Sequence, residues 1–318
     1  MKMQLQQATR EEIRQYYTEE YTVKEVPDYI TRNIHRREFA FDRIGKGPRD
    51  RFHQFTQTKY LERVIRAKKP FSAYSSIALY DEPEKRKGWD GAELVFDVDA
   101  KDLPIRTCNC KTGEVCEECL EQAKEIILKI SDNIQSLGFK DIHYVYSGRG
   151  YHLRIQDEQL LHTESSFRAE LVNYILGADI PQLEEGIPHF TLQFGYPQIY
   201  TNWFKNTVNH LEKTRRYPGL NKKLKNDIIK RRELMNAGQW GLIRGQIGIK
   251  RYDKLVRMIA GINKLLCDTK VSVDTKRILR LPSTLHYKVS MKCTSIKNIE
   301  TFDPFDDAVP KFVYENLG

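Results

Sequence analysis

Apolar positions along this 318-residue chain repeat with two periods, and the period changes with position. Between Arg36 and Phe55, Arg-Arg-Glu-Phe-Ala-Phe-Asp and Arg51-Phe-His-Gln-Phe55 read as two short strands, with Gly45, Gly47 and Pro48 supplying the turn. A helix is expected over Thr58–Ala67, a short strand at Ile77–Tyr80, and a strand over Glu93–Asp99 that is apolar from Leu94 to Val98. Ala123, Ile126, Ile127, Ile130, Ile134 and Leu137 then recur at helical spacing until Gly138 stops them. Ile142–Tyr146 and Tyr151–Ile155 are predicted strands joined by Ser147-Gly-Arg-Gly150. The first twenty residues carry charge and aromatics without a clean period, which predicts a peripheral helix. Helical patterns run over Phe167–Leu176, Trp203–Leu211 and Tyr252–Leu266 before strand signals return at Ile278–Leu281. The plan is an α/β (α+β) body of mixed and antiparallel sheets, made by 1–164 and 267–318, with a mainly helical insertion over 165–266.

Charge narrows the class of partner. Lys and Arg number 52 against 43 Asp and Glu, a net +9, which favours a polyanion. No apolar run approaches the roughly 20 residues of a membrane-spanning helix, and Met-Lys-Met-Gln-Leu-Gln-Gln has no signal-peptide core. Neither secretion nor membrane insertion is expected. Nine cations against two acids between Glu212 and Arg232 make a candidate face for the phosphates of such a polyanion, and equally a solvated helical surface.

Four groups of residues carry candidate chemistry. On a strand, Asp97 and Asp99 project from the same face. Such carboxylates repel unless a cation lies between them, and hard divalent ions such as Mg²⁺ or Mn²⁺ prefer oxygen ligands. An edge strand with a solvated acidic face is the plainer alternative, but the apolar flanks argue for burial. Cys108, Cys110, Cys116 and Cys119 fall within twelve residues, and four thiolates suit a closed structural Zn²⁺ site in a reducing compartment. In Tyr146-Ser147-Gly-Arg149-Gly-Tyr151-His152, backbone N–H groups, a hydroxyl and a guanidinium can together hold a phosphate, where a plain hairpin would need none of them. Finally, Asp268 precedes a basic segment, and Arg280 and His286 flank a Pro turn, a pattern that a charged surface strand pair also explains.

Taken in this order, from about Arg37 to His286, these motifs resemble the small catalytic subunit of archaeal and eukaryotic DNA primases. The phosphate loop is one residue shorter here than in many relatives. The resemblance implies a mixed α/β catalytic domain in which three acids bind two divalent ions. It implies template-directed nucleotidyl transfer that starts new chains: short RNA primers on single-stranded DNA, with deoxyribonucleotides as further substrates. Carried over by motif, Asp97 and Asp99 are the paired metal ligands. Asp268, twelve positions before Arg280, is the third. Arg51, Ser147, Arg149, His152, Arg280 and His286 are then the triphosphate contacts. A large subunit is the implied partner, and the implied location is the archaeal cytoplasm and nucleoid or the eukaryotic nucleus.

Three other readings stay open at this point. A metal-dependent nuclease also sets acids on neighbouring strands, but needs no triphosphate clamp. A zinc-containing single-strand DNA-binding subunit gives no reason for the acids. A primase-polymerase of repair or plasmid replication shares every motif. For the third carboxylate, Asp274 competes with Asp268. The apolar run Leu265-Leu266-Cys267 predicts a buried Asp268, whereas Thr275, Lys276 and Arg277 predict a surface turn around Asp274.

Overall fold

Short runs of aromatic and β-branched residues build the strands, and each run is too short to bury a face without lateral partners. A computed structural model describes residues 6–111, 114–180, 194–213 and 222–315. Its strands are β1 (Phe39–Asp42), β2 (Asp50–His53), β3 (Ser72–Ser76), β4 (Ala78–Glu82), β5 (Lys87–Ala92) and β6 (Leu94–Asp99). They continue with β7 (Ile142–Tyr146), β8 (Gly150–Ile155), β9 (Ile278–Arg280), β10 (Leu285–His286), β11 (Met291–Lys292) and β12 (Thr294–Ile296). Two four-stranded sheets dominate, in the orders β2-β1-β3-β9 and β12-β7-β8-β6. The first is antiparallel throughout, with Phe39 opposite Ser75 and Tyr74 opposite Arg280. In the second, β7 and β8 form a hairpin with Val145 opposite His152. A mixed α/β fold with antiparallel sheets and flanking helices is therefore present.

The chain divides into two compact units, Met1–Asp97 with Phe139–Ser165 and Lys270–Gly318, and Val98–Gly138 with Ser166–Thr269. In the first, Phe39, Phe41, Leu61, Ile65, Leu281 and Leu285 are buried together with Ile13, Tyr16 and Tyr17. The last three belong to helix Arg10–Glu19, which opens on a capping box between Thr9 and Glu12. That helix was expected at the periphery; it is instead part of the core. Its apolar positions are tyrosines, whose hydroxyls blur the hydropathy pattern but reach internal acceptors, as Tyr16 does to the Ser283 carbonyl at 2.8 Å.

The second unit is helical. Helix Glu117–Ser136 buries Ala123, Ile126, Ile127, Ile130 and Ile134, and Gly138 beyond it takes φ +96°. Helices Gly195–Lys213, Lys222–Lys230, Trp240–Ile247 and Ile249–Asn263 share a core of Tyr200, Phe204, Leu224, Ile228, Trp240, Leu255 and Ile259. Asn263 is buried there, accepting from Thr207 Oγ1 at 2.8 Å and donating to the Gly177 carbonyl at 3.0 Å. Satisfied on both sides, this amide ends the last helix three residues earlier than the apolar period predicts, and Leu265 is left 58% exposed. Among the described residues, no helix is long and apolar enough to cross a membrane.

Candidate active site and metal centre

On β6, Leu94, Val95, Phe96 and Val98 are fully buried while the side chains of Asp97 and Asp99 keep 23% and 25% of their exposure. Strand alternation puts both acids on one face. Asp99 accepts a hydrogen bond from the Lys101 backbone N–H at 3.1 Å. Asp97 faces the neighbouring strand β8, where His152 Nε2 lies 3.4 Å from its carboxylate. Burial alone would raise the Asp97 carboxyl, but His152 and the cations Arg280 and Arg149 outweigh it and hold it below the usual carboxylate range.

The β7–β8 connection closes on itself: the Ser147 backbone N–H and Oγ both donate to the Gly150 carbonyl, at 2.9 and 3.2 Å. Gly148 sits at φ +98°, and a Cβ there would come within 2.4 Å of the His286 Cβ. Only glycine fits the loop against that histidine. Arg280 Nη1 approaches the Ser147 carbonyl at 3.5 Å. Within this group, Nε of Arg280 and Nδ1 of both His152 and His286 are buried without a hydrogen-bond partner. Burial, reinforced by Arg280 and Arg149, pushes the His286 imidazole well below its ordinary value, so it is neutral at pH 7. Orphaned buried nitrogens of this kind are costly unless a ligand or water meets them, and the guanidinium of Arg280 among them fits an anion.

Arg51 stands elsewhere on the first unit, on β2, gripped by the buried Glu38 through Nε at 2.8 Å and Nη2 at 3.2 Å. Arg86 reaches the same carboxylate at 2.7 Å. Glu38 escaped the sequence reading, as did a second buried acid. Glu93 takes one oxygen to Arg37 and the other to Arg154, each at 2.6 Å, with all three side chains 2% exposed or less. Burial would raise the Glu93 carboxyl, and the two guanidiniums reverse that and lower it. Arg154 lies two residues after His152 and Glu93 four before Asp97, so the pair ties β8 to β6 beside the two functional side chains. The one available signal was an acid opening an otherwise apolar strand.

Asp268 belongs to the second unit and is exposed, which corrects the expectation of a buried acid. Of the apolar run before it, Leu266 and Cys267 are buried and Leu265 is 58% exposed, so the chain turns back to the surface at Asp268 itself. Asp274 lies in a surface turn, accepting from the Lys276 backbone N–H at 3.0 Å and pairing with Arg277 at 3.3 Å. Of the basic stretch Glu212–Arg232, positions 214–221 lie outside the described residues; Lys222 and Lys223 are exposed, whereas Arg231 and Arg232 pair with Asp227 and Glu233.

The four cysteines do converge. Their sulfurs all lie within 4.8 Å of one another, with Cys119 buried at the start of helix Glu117–Ser136 and the other three partly covered. A tetrahedral thiolate site with Zn–S near 2.3 Å spaces its sulfurs by roughly 3.8 Å, so the donor set fits Zn²⁺. The thiols already interact electrically. Burial raises Cys108, Cys110 and Cys119, yet hydrogen bonding from Cys119 and its neighbours lowers Cys108 overall, while Cys110 and Cys119 are pushed up, Cys119 to about 12. Among the described residues this is the one group of three or more His, Cys, Asp or Glu side chains so gathered.

Carboxylates on one strand, with Arg and His side chains on the loop and strands around them, are chemically suited to an enzyme that handles phosphates. Comparison with known proteins makes this specific. The family model for the DNA primase small subunit matches residues 96–297. The DNA primase small subunit PriS of Methanobrevibacter smithii is 46% identical over 97% of this chain and 98% of its own. Its counterpart from Methanothermobacter thermautotrophicus is 44% identical, with 97% of each chain covered. That from Pyrococcus horikoshii is 39% identical over 99% of this chain and 96% of its own. The chain belongs to the DNA primase small-subunit family. Its activity is that of the catalytic subunit, a DNA-directed nucleotidyltransferase of replication.

Proposed function

We propose that the chain synthesises short RNA primers on single-stranded DNA, accepts deoxyribonucleotides as alternative substrates, and works with a large subunit in the cytoplasm near the nucleoid. In this reading 1–164 and 267–318 form the catalytic body and 165–266 its helical accessory. Asp97, Asp99 and Asp268 would hold Mg²⁺ or Mn²⁺, two ions in all. Bound there, the ions would activate a 3′-hydroxyl and neutralise the leaving pyrophosphate. Hard carboxylate oxygens fit such ions, and an Asp97 that stays ionised is ready to accept one.

The chain's own groups handle the triphosphate. Arg149 and Arg280 meet phosphate oxygens with planar paired donors. His152 and His286 each add a ring nitrogen, and His286, being neutral, gives a hydrogen bond without adding repulsion between cations. Gly148 lets backbone and His286 approach together, Ser147 holds the loop closed, and Arg51 contributes a guanidinium already oriented by Glu38. Positioning and charge are most of what phosphoryl transfer asks of a protein. Cys108, Cys110, Cys116 and Cys119 hold Zn²⁺ as a local staple and take no part in bond making.

The observation that carries this reading is the set of partnerless buried nitrogens on Arg280, His152 and His286 around the glycine loop and Asp97. It favours a triphosphate clamp over a nuclease centre. The test is synthesis without a primer on a single-stranded homopolymer, with labelled NTP or dNTP and with Mg²⁺, Mn²⁺ or neither. Metal-dependent product that disappears in Asp97→Asn is expected. Cleavage of the template in place of synthesis would overturn the reading.

A further inference from the structure

Helix Ile249–Asn263 divides sharply into two faces. Tyr252, Leu255, Val256, Ile259 and Ile262 are buried. On the exposed side, Lys250, Lys254, Arg257, Gly261 and the C-cap residue Lys264 follow one another at alternating spacings of four and three. That spacing draws a single stripe along the helix, about 21 Å long at 1.5 Å per residue. Among the described residues none of its four cations is in an ion pair. Other cations of the unit are paired, Arg231 and Arg251 both with Asp227, at 3.2 and 3.6 Å, and Arg232 with Glu233 at 2.8 Å, while bare ones such as Lys222, Lys223 and Arg244 do not line up along one helix face with the stripe.

We infer that this stripe is a track for the phosphates of a single-stranded nucleic acid, an inference that rests on the template-dependent reading above. Like charges three and four residues apart on a helix repel, and a face that only needed solvation would mix signs. Here Asp253 is the one acid of the exposed face. Gly261 interrupts the row without closing it, since nothing lies within 4 Å of where its Cβ would be. At the borders, Ile249 and Leu265 are 57% and 58% exposed and offer apolar surface to bases. Evenly repeated cations suit a polymer with evenly repeated anions. In the other basic stretch, Glu212–Arg232, a candidate phosphate face and equally a solvated surface, Arg231 and Arg232 are paired.

The test compares two quadruple variants of the full chain. One is Lys250→Gln, Lys254→Gln, Arg257→Gln, Lys264→Gln; the other removes equal charge from exposed lysines of the first unit, Lys59→Gln, Lys87→Gln, Lys140→Gln, Lys297→Gln. Binding to a labelled oligodeoxythymidine is followed against salt, with circular dichroism as the check on folding. Each phosphate contact contributes about 0.7 to the slope of log affinity against log salt for a single strand. The stripe variant should lose roughly 2–3 of that slope and the control much less. An unchanged slope in the stripe variant, or an equal loss in both, overturns the track and leaves the face to a protein partner or to diffuse attraction. Wild-type protein that neither binds the strand nor primes on it would instead remove the functional reading itself.

Discussion

Two arrangements of positive charge, one from each unit, stand in contrast. In the first, Arg37 and Arg154 close on the buried Glu93, and Arg51 and Arg86 close on the buried Glu38. In the second, Lys250, Lys254, Arg257 and Lys264 stand in water without a carboxylate. A guanidinium seated on a buried carboxylate is held in one geometry, and it holds its strands with it. An exposed cation adds attraction that salt screens and that does not depend on exact placement. The first arrangement suits selection of one nucleotide at a fixed point; the second suits a strand that must slide.

The largest expected effects fall on the acids. Asp268→Asn should cut nucleotide incorporation by roughly 10²–10³ or more while leaving the circular dichroism unchanged, whereas Asp274→Ala keeps most activity because its partners are those of a surface turn. Since Asp268 is exposed and Asp97 half-buried, this pair of variants also asks whether an acid in water serves the metals as well as one in a sheet. The reverse pattern would shift the whole motif from Asp268 to Asp274.

Next in size is a direct contest between buried and exposed charge. Glu93→Gln leaves two guanidiniums facing each other in the core and should cost about 3–5 kcal/mol in urea unfolding. Lys254→Gln changes the charge by the same single unit and should stay within about 0.5 kcal/mol. Equal shifts of the two midpoints would erase the distinction between the units. In the cysteine loop, Cys119→Ser should abolish zinc retention, read by elemental analysis, and speed amide exchange at the start of helix Glu117–Ser136; zinc retained in full would exclude Cys119 as a ligand.

The smallest effect is a pH dependence. His286 is neutral in the fold, with its proton affinity depressed by burial and by Arg280 and Arg149, while in the unfolded chain it titrates near 6.5. Its stabilising contribution is therefore complete above about pH 6.5 and is lost as pH falls below that value, by about 1.4 kcal/mol at one pH unit lower. Unfolding of wild type and His286→Gln at pH 7.5 and 5.5 measures it. The variant should lose that part of the acid sensitivity.

Much of the candidate site could be read from local pattern because local pattern is what strands, turns and thiol clusters depend on. Alternation alone puts Asp97 and Asp99 on one face, four cysteines within twelve residues cannot avoid one another, and a Ser-Gly-Arg-Gly turn between two apolar runs is a hairpin. The amphipathic helices from Thr58 and Glu117 followed from their periods for the same reason. Tertiary structure decided the rest. Glu93 meets Arg154 across 61 positions and Glu38 meets Arg51 across 13, separations that leave no period to detect. The tyrosines of the first helix became core because their hydroxyls meet backbone partners there, Tyr16 donating to the Ser283 carbonyl and Tyr17 accepting from the Leu285 N–H. Asp268 stayed at the surface although Leu266 and Cys267 directly before it are buried, because an apolar run does not fix where the next residue points. Whether a given lysine or arginine is paired or bare depends on which acids the fold delivers beside it. A charge has no intrinsic side of a helix or a sheet to prefer, and only its neighbours in space settle what it is for.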